Sequence, residues 1–210
     1  MASTIARPAP AATAAPGRRR RGQVLEDAIL QAAWEQLHEV GYARFTMDGV
    51  ALAAGTGKAA LYRRWSSKDE LITSALHSML PDPAQVPATG DVRKDLLALL
   101  GCVRDTMDLA QGSEFQAVKR EAGPALVNVL VTGSVNEPCQ ERIREVLARG
   151  VADGVLRPEA ADPRIADIGQ ALMVHHLLVS KVKITDDYLE WIVDGVMLPL
   201  VTVDKKAARR

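Results

Sequence analysis

The sequence predicts an all-α fold with two parts, an N-terminal three-helix helix-turn-helix domain and a larger C-terminal helical domain. Apolar residues recur at spacings of three and four along most of the chain, which is the period of amphipathic helices. Glycine, proline and capping residues divide these stretches into short helices near the N-terminus and longer helices after it. No segment shows the alternation of apolar and polar residues that is typical of a strand.

The first predicted helix carries a stripe of apolar residues between positions 25 and 40, and Gly41 is its expected end. Thr46 is placed to cap a second helix with its side-chain oxygen. Gly55 lies in the tight connection that follows, residues 54–57, and can adopt a positive φ there without steric cost. A third short helix runs through Leu61 and Trp65, which are both expected to pack back onto the bundle. Three short helices with a glycine-containing turn before the third are helix-turn-helix geometry.

Ser67 can cap a fourth helix, and Glu70 at the third helical position would complete a capping box. Pro81 ends this helix, and residues 81–90 form a linker. A break in the helices is expected at residues 133–138, and another around Gly154 and Pro158. The remaining periodicity predicts helices over residues 91–111, 113–121, 124–132, 137–152, 164–183 and 186–201.

The chain has 210 residues and a formal net charge of zero, but its charge is unevenly distributed. Residues 1–65 contain nine Lys/Arg and five Asp/Glu, whereas residues 66–203 contain thirteen and twenty. The head is therefore the part that would attract phosphates. We interpret residues 1–22 as a disordered basic arm, 23–67 as the helix-turn-helix domain, 68–204 as the helical body and 205–210 as a basic tail. The arginines at positions 18–21 either contact DNA or only keep the arm soluble.

Several classes of protein are not expected from this composition. No run of 18 or more apolar residues is present, so no membrane span is predicted, and the N-terminus lacks the apolar stretch of a secretory signal. Cys102 and Cys139 are far apart and do not form a metal-binding pair, which favours free thiols in a reducing cytoplasm. No metal site, cofactor loop or nucleophile–base pair is apparent, so no enzymatic activity and no cofactor are predicted.

The predicted third helix carries the candidate DNA-reading residues. Lys58, Ala59, Tyr62 and Arg63 can face outward, and the first turn of a recognition helix enters the major groove. There Lys58 can read guanine or contact a phosphate, Tyr62 can donate to a phosphate, and Ala59 permits close approach to a thymine methyl. A role for Tyr62 in the core is the alternative.

The segment from Gly55 to Lys58 superficially resembles a nucleotide-binding phosphate loop. That motif needs glycine where this chain has Leu52, and Ser or Thr where it has Ala59. We therefore exclude nucleotide hydrolysis.

The head resembles the TetR (tetracycline-repressor) family over about residues 24–72. The matching positions are Gly41-Tyr42, Thr46, Ala54-Gly55, Leu61-Tyr62, Trp65 and Lys68. The chain departs from the usual Val-Ser after Ala-Gly, where it has Thr56-Gly57.

This resemblance implies an all-helical homodimer that binds double-stranded operator DNA and a small-molecule effector of unknown identity. It also implies that Thr46, Lys58, Tyr62 and Lys68 occupy positions that usually contact DNA. Lys68 begins the fourth helix, where free N–H groups also favour a phosphate.

The last two predicted helices carry candidate residues for the dimer interface. Their spacing of three and four suits contact with a partner helix, and an intramolecular core is the alternative. The candidates are Ile168, Leu172, His175, Val179, Ile192 and Val196.

A ligand pocket is expected between the helices of residues 91–180, because Met and Leu suit a pliable apolar site. Ordinary core packing is the alternative for each candidate. His175 and His176 point about 100° apart on a helix, so we expect one in the dimer seam and the other towards the pocket rather than a shared metal. The pocket candidates are Leu100, Met107, Phe115, Val118, Leu126, Leu147, Met173 and His176.

The sequence thus favours a ligand-responsive DNA-binding repressor with a helical ligand-binding and dimerisation domain. The alternative is a small-molecule binding or sequestering protein whose helix-turn-helix is vestigial.

Overall fold

The computed structural model describes residues 22–180 and 182–202. Nearly all of the predicted basic arm and the whole basic tail therefore lie outside the described residues. Within the described part, every regular element is helical, and the extended backbone pairs only at an isolated antiparallel bridge between Leu156 and Thr202. The all-α prediction is confirmed. None of the helices described is long and apolar enough to cross a membrane.

Four helices form the N-terminal head: α1 (Gln23–Arg44), α2 (Met47–Ala53), α3 (Lys58–Tyr62) and α4 (Lys68–Met79). Helix α1 packs against both α2 and α4, and α2 packs against α3. Gly41 has φ 73° and ψ 173°, so α1 bends at the residue where it was expected to end and closes one further turn. A left-handed backbone of this kind suits glycine because it has no Cβ.

The third and fourth helices differ in detail from the prediction. Helix α3 ends at Tyr62, so Trp65 lies beyond it, although its side chain is buried and its indole N–H donates to Ser74 Oγ at 2.9 Å. Ser67 Oγ accepts from the Glu70 amide at 3.1 Å, as expected of an N-cap. The predicted capping box is wrong by one residue. Glu70 Oε2 does not accept from the amide of the N-cap Ser67 but from the amide and the hydroxyl of Ser66, which together offer it two donors.

The body begins after a linker that contains a short 3₁₀ turn, Pro83–Gln85. Helices α5 and α8 pack along each other, and α9 packs against both. The body helices are α5 (Val92–Ala110), α6 (Ser113–Glu121), α7 (Pro124–Val131), α8 (Glu137–Ala152), α9 (Pro163–Ser180), α10 (Asp186–Glu190) and α11 (Leu198–Val201).

The predicted break at residues 133–138 is wrong. Helices α7 and α8 are joined by a π-helical turn, Thr132–Asn136, and α10 and α11 by another, Trp191–Met197. In each case a proline, Pro138 or Pro199, follows two residues after the turn. Proline lacks an N–H and clashes with the carbonyl four residues before it. A wider turn ahead of the proline accommodates both effects, so the helix continues where the sequence predicts an interruption.

Helix α9 is buried on one face only. Ala166, Gly169 and Met173 face the core of the chain. Leu178 and Val179 are 70% and 66% exposed. One face of the helix thus packs inward while another presents apolar side chains at the surface of the single chain.

Candidate nucleic-acid interface

Helix α2 is held on α1 by Thr46 and Gln36. Thr46 Oγ1 accepts from the Gly49 amide at 3.1 Å, and the Thr46 amide donates to Gln36 Oε1 at 3.0 Å. A Cβ on Gly49 would lie 1.9 Å from Gln36 Nε2, so a side chain here would displace the glutamine. Since Thr46 uses an oxygen lone pair for the cap, its exposed hydroxyl keeps its proton for a further acceptor.

The turn between α2 and α3 has the predicted geometry. Gly55 adopts φ 64°, and the Thr56 amide donates to the Ala51 carbonyl at 2.9 Å, which closes the turn. Gly57 is the N-cap of α3 and supplies no side-chain acceptor. Leu61 is fully buried and fixes the inner side of α3. The first-turn amides of α3 are therefore not occupied by a capping side chain.

The outer side of α3 presents the four predicted residues to solvent: Lys58, Ala59, Tyr62 and Arg63 are all exposed. Tyr62 is 52% exposed, so it is not a core residue. These side chains are therefore accessible to solvent on the outer side of the motif.

Lys58 is paired across the motif in the DNA-free protein. Its Nζ lies 2.6 Å from Asp48 Oδ2 on α2, and this hydrogen bond raises the pKa of the Lys58 amine above its ordinary value. Lys58 therefore stays protonated and charged.

Lys68 is held at the start of α4 by the end of α1. Its Nζ donates to the Tyr42 carbonyl at 2.9 Å and lies 4.1 Å from the centroid of the Tyr42 ring. The Tyr42 hydroxyl donates to Asp69 Oδ1 at 2.7 Å, and this bond raises the pKa of Tyr42 to about 12. The lysine thus joins α1 to α4 in addition to placing a positive charge beside the α4 N-terminus.

Sequence reasoning missed the residues that support this surface. Gln36, Asp48 and Asp69 orient Thr46, Lys58 and Tyr42 through long-range contacts, which no periodicity reveals. The sequence indicates the role of Asp48 only weakly. An acidic residue in the first turn of a helix is commonly explained by its favourable interaction with the helix dipole, so its position does not by itself predict an ion pair with a lysine.

Most of the predicted pocket residues lie in the core of the body. The fully buried ones are Leu100, Phe115, Val118, Leu147 and Met173. Met107 and Leu126 are partly buried at the edge of this cluster. The His176 ring contacts the ring of Tyr188 on α10 in a tilted arrangement, with 4.3 Å between the ring centroids and 31° between the ring planes.

The predicted dimer residues fall into three groups. His175 and Val179 are exposed, and Ile168, Leu172 and Val196 are partly buried. Ile192 is fully buried in the core of its own chain. The assignment of Ile192 to the dimer interface is wrong, because Ile192 continues the buried face that begins at Leu189 and packs in the core of its own chain.

The head contacts the body directly through α1 and α6. The Trp34 and Phe115 rings have centroids 6.3 Å apart, and the His38 ring hydrogen-bonds the Glu114 carboxylate. Burial raises the pKa of the Glu114 carboxyl, but the hydrogen bonds from the His38 ring, the Glu114 amide and Ser113 together lower it by more, so the net shift is downward. A displacement of α6 would therefore be transmitted to the first helix of the head.

The linker is attached to the body at two points. The Arg142 guanidinium on α8 donates to the carbonyls of Pro83 and Val86, the latter at 2.6 Å. The buried carboxylate of Asp95 on α5 accepts from the Thr89 amide at 2.8 Å and from the Thr89 hydroxyl at 2.6 Å. The chain segment between α4 and α5 thus follows α5 and α8.

A helix-turn-helix with an exposed third helix, in a four-helix head joined to a helical body, is typical of DNA-binding regulators of the helix-turn-helix class. The family model described as "Bacterial regulatory proteins, tetR family" matches residues 29–75, and the model for the "Tetracyclin repressor-like, C-terminal domain" matches residues 86–196. The chain belongs to the TetR family and is a transcriptional regulator with a DNA-binding helix-turn-helix.

Two relatives illustrate this membership, and one solved structure has a similar fold. The uncharacterized HTH-type transcriptional regulator Rv1556 of Mycobacterium tuberculosis is 32% identical over 179 residues, 84% of this chain and 88% of that protein. The DNA-binding transcriptional repressor TetR of Mycobacteroides abscessus is 30% identical over 193 residues, 86% and 96% of the two chains. The flavonoid-responsive regulator FrrA superimposes with a TM-score of 0.57 at 20% identity, covering 86% of this chain and 98% of its own.

Proposed function

We propose that this regulator is a repressor that binds a palindromic operator as a homodimer and releases it when a small molecule binds the body. The observation that carries the proposal is the exposed outer side of α3, where the side chains of Lys58 and Tyr62, and of Arg63 directly after the helix, project into solvent. The name of the M. abscessus relative, a transcriptional repressor, supports the direction of control.

In the proposed complex, α3 enters the major groove. Lys58 and Arg63 supply cations for phosphates or guanine edges, and the Tyr62 hydroxyl donates to a phosphate. Ala59 keeps the centre of the helix surface small. Thr46 and the N-terminus of α4 at Lys68 contact phosphates on either side of the groove.

The homodimer is proposed to form through the exposed face of α9. Val174, Leu178 and Val179 are large apolar residues left uncovered there, and Trp191 beyond α10 is 52% exposed. Contiguous apolar surface of this kind is typical of a protein interface. Two-fold symmetry would place the two copies of α3 about 34–36 Å apart, one turn of DNA.

The effector is proposed to bind between α5, α6, α7 and α8. Met107 and Leu126 lie partly buried at the border of the apolar cluster that includes Phe115 and Val118. An apolar molecule wedged beside α6 would move Phe115 against Trp34 and so displace α1. FrrA, which shares this fold, is by name a flavonoid-responsive regulator, and this supports control by a small organic molecule.

We expect Lys58→Ala and Tyr62→Ala to weaken operator binding by about 5- to 150-fold each, the range for one good DNA contact. The reason is that each change removes a donor from the exposed side of α3 and leaves the buried Leu61 anchor in place. Fluorescence anisotropy with a labelled operator duplex measures the affinity.

The matched control is Lys94→Ala, which removes an exposed lysine from α5 in the body. It is expected to leave operator affinity and thermal midpoint unchanged. Wild-type affinity in both α3 variants would contradict the assignment of α3 as the recognition helix.

Release by an effector is tested separately from DNA binding. An effector of this kind is expected to bind the conformation released from DNA more tightly than the DNA-bound conformation. It should therefore raise the thermal midpoint of the free protein and lower the affinity of the protein for its operator. A compound that stabilises the protein through Met107 and Leu126 but leaves operator affinity unchanged would contradict release through this region.

A further inference from the structure

An acidic side chain lies beside the recognition helix and faces outward. Asp48 is in the first turn of α2, which buries Met47 and Val50 in the head and leaves Asp48 on its exposed side. Asp48 Oδ2 lies 2.6 Å from Nζ of Lys58, the first residue of α3. The two helices of the motif are thus joined by an ion pair that includes a candidate DNA contact.

This ion pair contributes little to the stability of the head. The side chains of Lys58 and Asp48 are 64% and 59% exposed, and exposed ion pairs are weak because water and salt screen the charges. Other contacts fix the two helices, namely the buried Leu61 of α3 and the Gly49 amide that donates to Thr46 Oγ1. The pair instead determines where the ammonium lies, because a lysine alone on a surface occupies many rotamers.

A carboxylate beside the recognition helix is unfavourable for binding to DNA in general. Its negative charge repels phosphates, and phosphates supply essentially all of the affinity for a non-specific duplex. It also pairs with Lys58, which then has fewer donors for the backbone of DNA. Asp48 is therefore expected to weaken binding to every duplex. Such a residue raises selectivity when the correct sequence is penalised less than the others.

The donors of Lys58 match the acceptors of a guanine once Asp48 is counted. A lysine ammonium has three N–H donors and no acceptor. One donor is directed at Asp48 Oδ2, and this leaves two. Guanine presents two acceptors, N7 and O6, in the major groove. An ammonium that is held from one side by a carboxylate can therefore use all its donors on a guanine edge without moving away from Asp48.

We propose that Asp48 is a specificity-determining residue of the operator complex, which positions the Lys58 ammonium on a guanine of each half-site and keeps it from the phosphates. The inference rests on the proposed function, because it requires α3 to read the operator. Asp48 acts through Lys58 and is a positioning residue. Its removal frees Lys58 to contact phosphates, so that binding to DNA becomes tighter on average and less selective.

The test is a set of affinities of full-length variants, measured by anisotropy. The duplexes are the operator recovered from bound genomic fragments, a scrambled duplex, and operator variants in which each G·C pair of the half-sites is replaced in turn by A·T. Wild type is expected to discriminate by about 5- to 150-fold per half-site at one G·C position, and Asp48→Asn to lose most of this discrimination. The scrambled duplex should bind Asp48→Asn more tightly than wild type, with a salt dependence steeper by about one phosphate contact per protomer.

Further variants show whether Asp48 acts through Lys58. Lys58→Ala is expected to lose the same discrimination, and Asp48→Asn in that background should cause no further loss. Asp48→Ala is expected to behave like Asp48→Asn, and both should keep the wild-type thermal midpoint because the pair is exposed. Glu39→Gln is the matched control, since it removes an exposed carboxylate from α1. It is expected to leave the discrimination and the salt dependence unchanged.

Two results would overturn the inference and leave the proposed function standing. One is wild-type discrimination at every G·C position in folded Asp48→Asn and Asp48→Ala while Lys58→Ala loses it. The other is a further loss of discrimination when Asp48→Asn is added to Lys58→Ala. If Lys58→Ala and Tyr62→Ala both keep wild-type affinity and discrimination, α3 does not read the operator, and the proposed function fails together with the inference.

Discussion

Replacing both Leu178 and Val179 by aspartate is expected to yield a folded monomer whose affinity for a palindromic operator is lower by a factor on the order of 100 or more. Both side chains are exposed in the single chain, at 70% and 66%, so the charges cost little in the monomer. In a dimer the same carboxylates would be desolvated against the partner without a counter-charge, which is strongly unfavourable. A monomer contacts only one half-site of the operator, so it loses the affinity that a dimer gains by binding both half-sites at once.

Light scattering after size exclusion measures the oligomeric state, and anisotropy measures the affinity. Val129→Asp is the matched control, because Val129 on α7 is 73% exposed and lies outside the proposed interface. It is expected to remain dimeric with wild-type affinity. A double variant that stays dimeric would refute the α9 interface, and a monomer that binds as tightly as wild type would refute the need for dimerisation.

Asp95→Ala is expected to lower the free energy of unfolding by about 2–4 kcal/mol. The Asp95 carboxylate is buried and accepts from Thr89, Gly90 and Arg149. Its removal leaves the Thr89 and Gly90 amides without their acceptor and the Arg149 guanidinium without its partner. Urea denaturation followed by circular dichroism measures the change.

The control for this variant is Asp108→Ala, which removes an exposed carboxylate from the same helix. That change is expected to stay within about 0.5 kcal/mol of wild type. An equal loss in both variants would show that the Asp95 contacts contribute no special stability.

The same carboxylate predicts a pH dependence of stability. Burial raises the pKa of Asp95, but the hydrogen bonds from Thr89, Arg149 and Gly90 lower it more, so the net pKa is below the ordinary value. A depressed folded-state pKa stabilises the protein above the unfolded value of about 3.9, and this stabilisation is lost as pH falls through the folded pKa. The difference in unfolding free energy between wild type and Asp95→Asn should therefore be constant near neutral pH and shrink below about pH 4. A difference that grows on acidification would contradict the sign of the shift.

Most of the head was predictable from the sequence, because caps and turns that are local in the sequence determine its backbone. Thr46, Gly55 and Ser67 each determine their backbone through a cap or a positive φ, and each has the predicted role. The outward orientation of Lys58 and Tyr62 follows from the buried position of Leu61, because a short helix has only one inner side.

The body was less predictable because its decisive contacts are long-range. Pro138 indicates a break unless a π-helical turn is known to precede it. The apolar spacing around Ile192 suits either an interface or a core, and only the packing of the body shows that the residue is buried in its own chain. The pairing of α5 with α8 joins helices that are far apart in the sequence. No pattern within either helix specifies that neighbour.

Operator binding by the full-length wild-type chain, measured by anisotropy over a series of salt concentrations, tests sequence-specific DNA binding by the dimer most directly. A genome-wide selection of bound fragments supplies the duplex. We predict saturation at two chains per palindromic site, affinity that falls linearly with salt on logarithmic axes, and binding to a scrambled duplex that is weaker by a factor of about 10³ or more. Equal affinity for the scrambled duplex, or saturation at one chain per site, would contradict a dimeric regulator that reads its operator through α3.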